Sequence, residues 1–455
     1  MAKGHTYVQW IVAIVLETTV MSYGLTAGWI SPMKLVLQSE ESPVGRPVTD
    51  MEMTWVASIL PLAAVTGVLL FVYVADRYGR KSGVLVMAIS QACCWTIKLS
   101  TANVPCLIIA RIFAGIPAGG CLQLMPIYVK EISQDNIRGM LVSMIILMQN
   151  IGVFTMYAIG AYCNYASVLY FGLTISLISI AALIKVPESP SFLVKMEKYE
   201  EAEKTLALLR GLDVNDKIIQ DELSYLKNND TQAKDLPDVT IFTIFKNKSS
   251  RSGLFVILMI ISVQATNGSY GIFTYASSVI SAAGVTLNPH LQTLSIPIVM
   301  IVGSFVSISC VERIGRKVIL ASAFALSTLG LIGLGCALTM QHLGQPLSNW
   351  IPAVSIVITV GCYAAGILPM PYVIMAEMFS FNIRAKVSGC ICCYAWFVTF
   401  LQLLVFIPIS SLVGMHNTMF CFSAINLLGV LVALVVVPET KGKSVEQIEE
   451  MLELR

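Results

Sequence analysis

Two groups of residues in this 455-residue chain have the types and spacing to do chemistry. The first is ionisable and sits where ionisable groups are rare. Glu17 falls inside an apolar run that begins near Tyr7, and Arg111 falls inside another at 105–128. A charge in such a run is costly unless it is paired or wetted, about 3 kcal/mol at a helix centre. A Glu17–Arg111 pair is one expectation, and a proton-titrating Glu17 is the competing one. Glu17 lies seven residues before Gly24, so both share a helix face. The second group repeats. Asp76-Arg77-Tyr78-Gly79-Arg80-Lys81 recurs as Glu312-Arg313-Ile314-Gly315-Arg316-Lys317, 312 − 76 = 236 positions later. Glu131 and Arg138 recur as Glu377 and Arg384, 377 − 131 = 246 later, and Val186-Pro187-Glu188-Ser189 recurs as Val437-Pro438-Glu439-Thr440, 437 − 186 = 251 later. Glycine lets each acid–Arg–x–Gly–Arg segment turn tightly, and its arginines can then reach carboxylates such as Glu131 and Glu377. Asp76, Arg77, Arg80, Glu131, Arg138, Glu312, Arg313, Arg316, Glu377 and Arg384 are therefore expected to form a charge network. It would latch two halves of the molecule together at the inner face and break when that face opens.

These residues need elements to hold them, and composition says which. The chain is 56% hydrophobic and only 12% charged, with mean hydropathy +0.77. Soluble domains carry about 25% charged residues. The apolar residues come in runs near the ~20 that a spanning helix requires, because lipid offers no partner to open backbone. The predicted fold is an all-α membrane protein with about twelve transmembrane helices in two six-helix repeats. Spans are expected at 8–30, 54–75, 83–102, 105–128, 139–163 and 167–186, then at 253–279, 291–311, 317–340, 350–375, 386–410 and 417–437. The predicted organisation is an N-terminal half at 1–186, a linker at 187–252, a C-terminal half at 253–437 and a tail at 438–455.

Charge placement supports the even count. Outside the linker, fourteen lysines and arginines fall on the side shared by both ends, against Lys34, Arg46 and Lys98 opposite. That is the positive-inside asymmetry, and it puts both termini in the cytoplasm. Lys195–Leu209, Asp216–Lys227 and the tail Ser444–Leu454 have the spacing of short amphipathic helices, with Ser444 a cap. The first apolar run lacks a small-residue cleavage site and is read as a span rather than a signal peptide. Parallel repeats about an axis along the membrane normal suit a transporter whose site lies at the midplane between them. Gly361, Gly366, Pro369 and Pro371 punctuate the tenth span and predict a bend at 366–371. Gly115, Pro117, Gly119 and Gly120 do the same for the fourth.

The same reading excludes other classes. A net charge of +2 makes no case for nucleic acid. There is no nucleotide-binding loop, metal-ligand spacing or nucleophile elbow, so neither an enzyme, a cofactor nor a metal is expected. Cys390, Cys392 and Cys393 have no nearby histidine or turn chemistry. Cys106 and Cys163 fall near the outer face, where a disulfide competes with the simpler reading of apolar thiols.

Taken in order, the motifs resemble one family: the sugar porters of the major facilitator superfamily, especially insect trehalose and glucose facilitators. The resemblance runs from about Tyr23 to Met451. Its marks are the two acid–Arg–x–Gly–Arg–Lys segments, Arg111-x-x-x-Gly115-x-x-x-Gly119, Pro187-Glu188-Ser189-Pro190, Pro369-x-Pro371 before Glu377, and Pro438-Glu439-Thr440-Lys441-Gly442. Gly24-Leu25-Thr26-x-Gly28-Trp29-x-Ser31-Pro32 looks like the first-helix segment of the trehalose branch. The resemblance implies a sugar as the small-molecule partner, with Gln149 and the seventh-helix segment Gln264 to Tyr270 as binding groups. It also implies the plasma membrane. Several family polar positions are changed: Ala265, Tyr270, Met300, Ala364 and Ala395 stand where the pattern has Gln, Asn, Asn, an acid and Asn. The residues expected to bind solute are Gln149, Gln264, Asn267, Tyr270, Tyr275, Tyr372 and Trp396. Thr26 stands where proton-coupled members carry an acid, which implies passive facilitation. Three readings stay open: a hexose or trehalose facilitator, a carrier of the same fold for a less polar solute, and a non-transporting sugar sensor.

Overall fold

The computed structural model describes residues 5–235, 248–284, 289–345, 348, 350–379, 381–443 and 445–453. Among them, twelve helices are long and apolar enough to cross a membrane. The first six are Tyr7–Leu37, Asp50–Arg77, Arg80–Ser100, Val104–Ile132, Asp135–Tyr162 and Tyr165–Leu183. The second six are Lys248–Thr274, Pro289–Ile314, Arg316–His342, Trp350–Met378, Phe381–Val413 and Met415–Val435. Local chemistry sets their ends. Thr49 and Glu52 close a reciprocal capping box at the start of the second span, which satisfies two backbone donors that would otherwise lack an intrahelical partner.

Small residues let the spans approach closely. A Cβ added at Gly115 would overlap the Leu60 carbonyl oxygen, one at Gly119 the Ala64 oxygen, and one at Gly67 the Ile116 oxygen. The second and fourth spans therefore pack backbone to backbone, as small residues permit where lipid supplies no hydrophobic drive. Gly24 and Gly152 do the same for the first and fifth spans. This corrects the expectation for the fourth span: it runs unbroken from Val104 to Ile132 with Pro117 and Pro126 inside it. Its glycines serve contact, not bending.

The breaks lie elsewhere. The tenth span is α-helical to Cys362, passes through a π-turn at Tyr363–Ile367, and resumes at Met370. Its irregularity starts ahead of the expected bend and ends at the predicted prolines. The seventh span breaks twice, at Asn267–Gly268 and at Tyr275, giving Lys248–Thr266, Ser269–Thr274 and Ala276–Ala282. Gly268 has φ +87°, a left-handed conformation that glycine adopts without strain.

The linker forms helices Pro190–Lys195, Tyr199–Arg210 and Lys217–Asp235, which pack on one another, the first two also touching the first six spans. Arg210 donates to the Ile132 carbonyl (3.0 Å) and pairs with Glu222 (2.6 Å), and Gln9 donates to the Leu209 carbonyl (3.1 Å). The tail helix Val445–Glu453 sets Ile448 and Leu452 against Met378 and Phe379 of the second six. Its predicted cap, Ser444, lies outside the described residues. The face carrying these helices is the inner face below. The twelve cysteines are free, so Cys106 and Cys163 are not joined.

Candidate transport site

Three layers bear on transport, and the inner one is built twice. In the first half, Arg80 grips Glu131 through Nε (2.9 Å) and Nη2 (2.9 Å) and donates Nη1 to the Ala75 carbonyl (2.8 Å). In the second half, Arg316 reaches Glu377 through Nε (3.0 Å) and Nη2 (2.7 Å) and donates Nη1 to the Val311 carbonyl (3.0 Å). Glu188 accepts the backbone N–H of Arg80 (3.0 Å) and Lys81 (3.1 Å), and Glu439 accepts those of Arg316 (3.2 Å) and Lys317 (3.2 Å). Both carboxylates cap a helix N-terminus, where the dipole favours negative charge. Ser189 donates to Glu131 and Thr440 to Glu377. Gly79 (φ +102°) and Gly315 (φ +104°) make the turns. A Cβ on Gly79 would overlap a Glu188 carboxylate oxygen, and one on Gly315 would sit 2.8 Å from Glu439.

In this arrangement, closed at its outer end, no charged latch between the halves is formed among the described side chains. The Arg80–Glu131 and Arg316–Glu377 pairs each lie within one half and staple its own helix ends together; neither joins the halves. Asp76 meets Arg80 (3.9 Å) and Lys195 (3.3 Å). Arg138 turns to Asp135 (2.6 Å) and the Ser133 carbonyl (3.1 Å), away from Glu131. Arg77 is exposed and stacks on the Tyr78 ring (5.9 Å), and Arg313 is exposed too. The side chains of Glu312 and Arg384 lie outside the described set. Glu188 and Glu439 belong to the clusters, although the repeat alone did not reveal their capping role.

The second layer is the bilayer interior. Glu17 and Arg111 do not pair there. Arg111 donates to the carbonyls of Thr26 (2.6 Å) and Val56 (3.1 Å), bracing the fourth span against the first and second. Thr26 is nine residues beyond Glu17, about 14 Å along a helix, so Arg111 sits at a different depth from Glu17. Glu17 is fully buried and its carboxyl oxygens have no hydrogen-bond partner among the described residues. At the break in the seventh span, neighbours restore the freed backbone. The Gln402 amide, turned so that both ends find partners, donates to the Ala265 carbonyl (2.9 Å) and accepts from the Gly268 N–H (2.8 Å). Asn426 donates to the Asn267 carbonyl (2.9 Å).

Around that break the expected binding groups gather. Gln264 and Asn267 are buried, and Gln264 Oε1, Asn267 Nδ2, Ser269 Oγ and Trp396 Nε1 find no partner among the described residues. Tyr270 is half-buried and lies close to Tyr23, Tyr363 and Arg111. Tyr23 and Tyr363 were not anticipated; each is an aromatic in a glycine-rich apolar span, which reads as packing. Tyr372 packs between the two halves, and Trp396 against the first. Gln149 is half-buried on the fifth span, its carbonyl against Gly24. Ala364, at the lost acidic position, packs on Gly303 of the eighth span.

The third layer closes the outer end. Ser277 donates its hydroxyl to the Ser31 carbonyl (2.6 Å) and its N–H to the Ser31 hydroxyl (3.3 Å). Tyr157 donates to the Phe273 carbonyl (2.7 Å). Lys34 sits 5.2 Å over the Tyr275 ring, which stacks on Phe406 at 5.3 Å. Tyr275 therefore belongs to this seal rather than to the midplane group. Ser31 and Ser277 are 277 − 31 = 246 positions apart, the same offset as Glu131 and Glu377.

Comparison with known proteins agrees with this architecture. A family model described as sugar (and other) transporter matches residues 12–452. The facilitated trehalose transporter Tret1 of Bombyx mori is 27% identical, covering 99% of this chain and 88% of that protein. Tret1 of Anopheles gambiae is 25% identical over 98% of this chain, which spans 56% of that longer protein. The inward-open conformation of the xylose transporter XylE from E. coli superposes with a TM-score of 0.80 at 20% identity, covering 97% of this chain and 99% of that one. The chain belongs to the sugar (and other) transporter family and has the twelve-helix major facilitator fold.

Proposed function

We propose that the protein carries a sugar, a hexose or trehalose, across a membrane by alternating access and without a coupled proton. One observation carries the reading: polar and aromatic groups from both halves converge at the broken seventh helix, beneath the Ser31–Ser277 and Tyr157–Phe273 contacts that close the outer end. Each sugar hydroxyl loses water on entry, and an unmade buried hydrogen bond costs about 1–3 kcal/mol. Gln264 Oε1, Asn267 Nδ2, Ser269 Oγ and Trp396 Nε1 lack protein partners, so admitted hydroxyls would complete them. Tyr270 and Tyr372 offer faces to the ring's C–H groups. The names of the trehalose and xylose transporters it resembles support the substrate class. Thr26, whose hydroxyl is spent on the Tyr23 carbonyl (2.8 Å), supports passive facilitation. The excess of cations beside the linker supports cytoplasmic termini, and the resemblance supports the plasma membrane.

Alternating access then has a concrete form. The inner clusters stay intact within each half, while the Ser31–Ser277 and Tyr157–Phe273 bonds part to open the outer end. Uptake of labelled trehalose and glucose, with and without an inward proton gradient, tests the reading. Saturable, gradient-independent uptake of either sugar is expected. No uptake of either by correctly inserted protein would overturn it.

A further inference from the structure

Lys34 reaches across the halves at the outer end. It lies on Ile30–Leu37, the outer part of the first span, and is only 7% exposed. Among the described residues no ion pair involves it. Its ammonium stands instead 5.2 Å over the ring of Tyr275. That ring tops a column: it stacks on Phe406 (5.3 Å, 22°), which stacks on Phe422 (5.8 Å, 12°). All three rings belong to the second half, and the cation above them to the first. We propose that Lys34 positions the outer gate: its ammonium holds Tyr275 while the outer end is closed and passes to Asp50 when the halves part. This role presupposes the alternating access proposed above, but not the identity of the solute.

The column is fixed from behind. A Cβ added at Gly271 would lie 2.7 Å from the Phe406 ring, and one at Gly268 2.4 Å from the Phe422 ring, so glycines of the seventh span seat both rings. Gly268 is also the left-handed residue of the break. The surface under Lys34 is therefore continuous with the place where the polar groups gather. A cation over an aromatic face is attracted by the ring quadrupole, more strongly when the pair is shielded from water, and Tyr275 is buried. The contact exists only while the halves meet, so it weights the equilibrium toward closure; a contact made equally in both states would shift nothing. When the halves part, Tyr275 leaves with the second half and Lys34 stays with the first. Asp50, exposed at the start of the second span, is the carboxylate whose charge reaches Lys34. Its Oδ1 accepts from Gln38 Nε2 (2.8 Å). Gln38 is four residues after Lys34, on the same helix face, so the carboxylate stands on the side to which the freed ammonium can turn.

The test is double electron–electron resonance on the full chain, without sugar, between spin labels at Ser100→Cys and Leu412→Cys on a background cleared of native cysteines. Both positions are exposed, at the outer ends of the third and eleventh spans. Lys34→Met keeps the apolar stem and removes the charge. It should raise the ratio of long to short distances about 5- to 30-fold, and Lys34→Arg should restore the wild-type ratio. Asp50→Asn, which can still accept from Gln38, should lower the ratio, and should have no effect once Lys34 is Met. Arg46→Gln, which removes an exposed outer cation paired with Glu52 (2.5 Å), should change nothing. KM for external sugar should fall in Lys34→Met, because more of the protein is competent to bind from outside. Unaltered thermal melting certifies the fold of Lys34→Met. Because the distances are read without sugar, failure of the sugar reading leaves this test standing. An unchanged distribution in folded Lys34→Met, a raised ratio in Asp50→Asn, or the same shift in Arg46→Gln would overturn the proposal.

Discussion

Arg80 and Arg316 close matching rings of contacts 316 − 80 = 236 positions apart, each with a glutamate, a backbone carbonyl and a second glutamate capping the same turn. At the bilayer midplane the halves part company. The first span bends only at Trp29, whereas the seventh breaks twice and the tenth winds through a π-turn. Every carboxylate of the described inner rings has partners; around the seventh-helix break, several buried polar atoms have none among the described residues. The symmetric layer keeps each half rigid. Under the proposed function, the asymmetric layer would offer a solute its unfilled hydrogen bonds.

The comparison breaks most easily at the inner turns. Gly79→Ala and Gly315→Ala force an alanine into a left-handed conformation costing about 1–3 kcal/mol, with a carboxylate in the way. Gly79→Ala should lose more folded protein than Gly315→Ala, because its Cβ would overlap Glu188 while the other stands 2.8 Å from Glu439. Fluorescence-detected size exclusion reads the order, and equal wild-type yields would refute the capping account. Next come Arg80→Gln and Arg316→Gln. Each leaves a half-buried glutamate unpaired, and each should lower stability by about 3 kcal/mol. A large drop in only one would show the halves to be unequal here.

The midplane predictions fall on uptake more than on folding. Gln402→Ala strips partners from the Ala265 carbonyl and the Gly268 N–H, at about 1–3 kcal/mol for each group. It should reduce uptake without dissociating the inner clusters, and thermal melting with uptake assays separates the two effects. Gln264→Ala should raise KM for the sugar by about 5- to 150-fold, the equivalent of about 1–3 kcal/mol, with normal amounts of protein in the membrane. The least change is expected from Glu17→Gln. With no ion pair to lose, the variant should keep the wild-type pH profile of uptake; a displaced profile would reinstate a proton role for Glu17.

The twelve spans and both inner motifs were legible because apolar length and a repeated motif survive in a linear string. The acceptors Glu131 and Glu377 were legible too, each at a span's inner end beside a turn that delivers arginine. Direction was not. Whether Arg77 or Arg80 points inward depends on the turn at Gly79, and whether a pair joins two halves or one depends on packing between distant segments. Glu17 and Arg111 show the same limit, since two charges in separate apolar runs suggest a pair but report no relative depth. Asn267-Gly268 is a turn signal hidden in an apolar run. In contrast, the glycines of the fourth span suggested a bend that close packing makes unnecessary.

The central claim is that the halves move as rigid bodies and that the outer seal must open for transport. Ser31 and Ser277, joined by two hydrogen bonds across the halves, allow a direct test. In a reconstituted Ser31→Cys, Ser277→Cys variant on a background cleared of other reactive cysteines, cross-linking should abolish sugar uptake and reduction should restore it. Undiminished uptake by fully cross-linked protein would contradict the account.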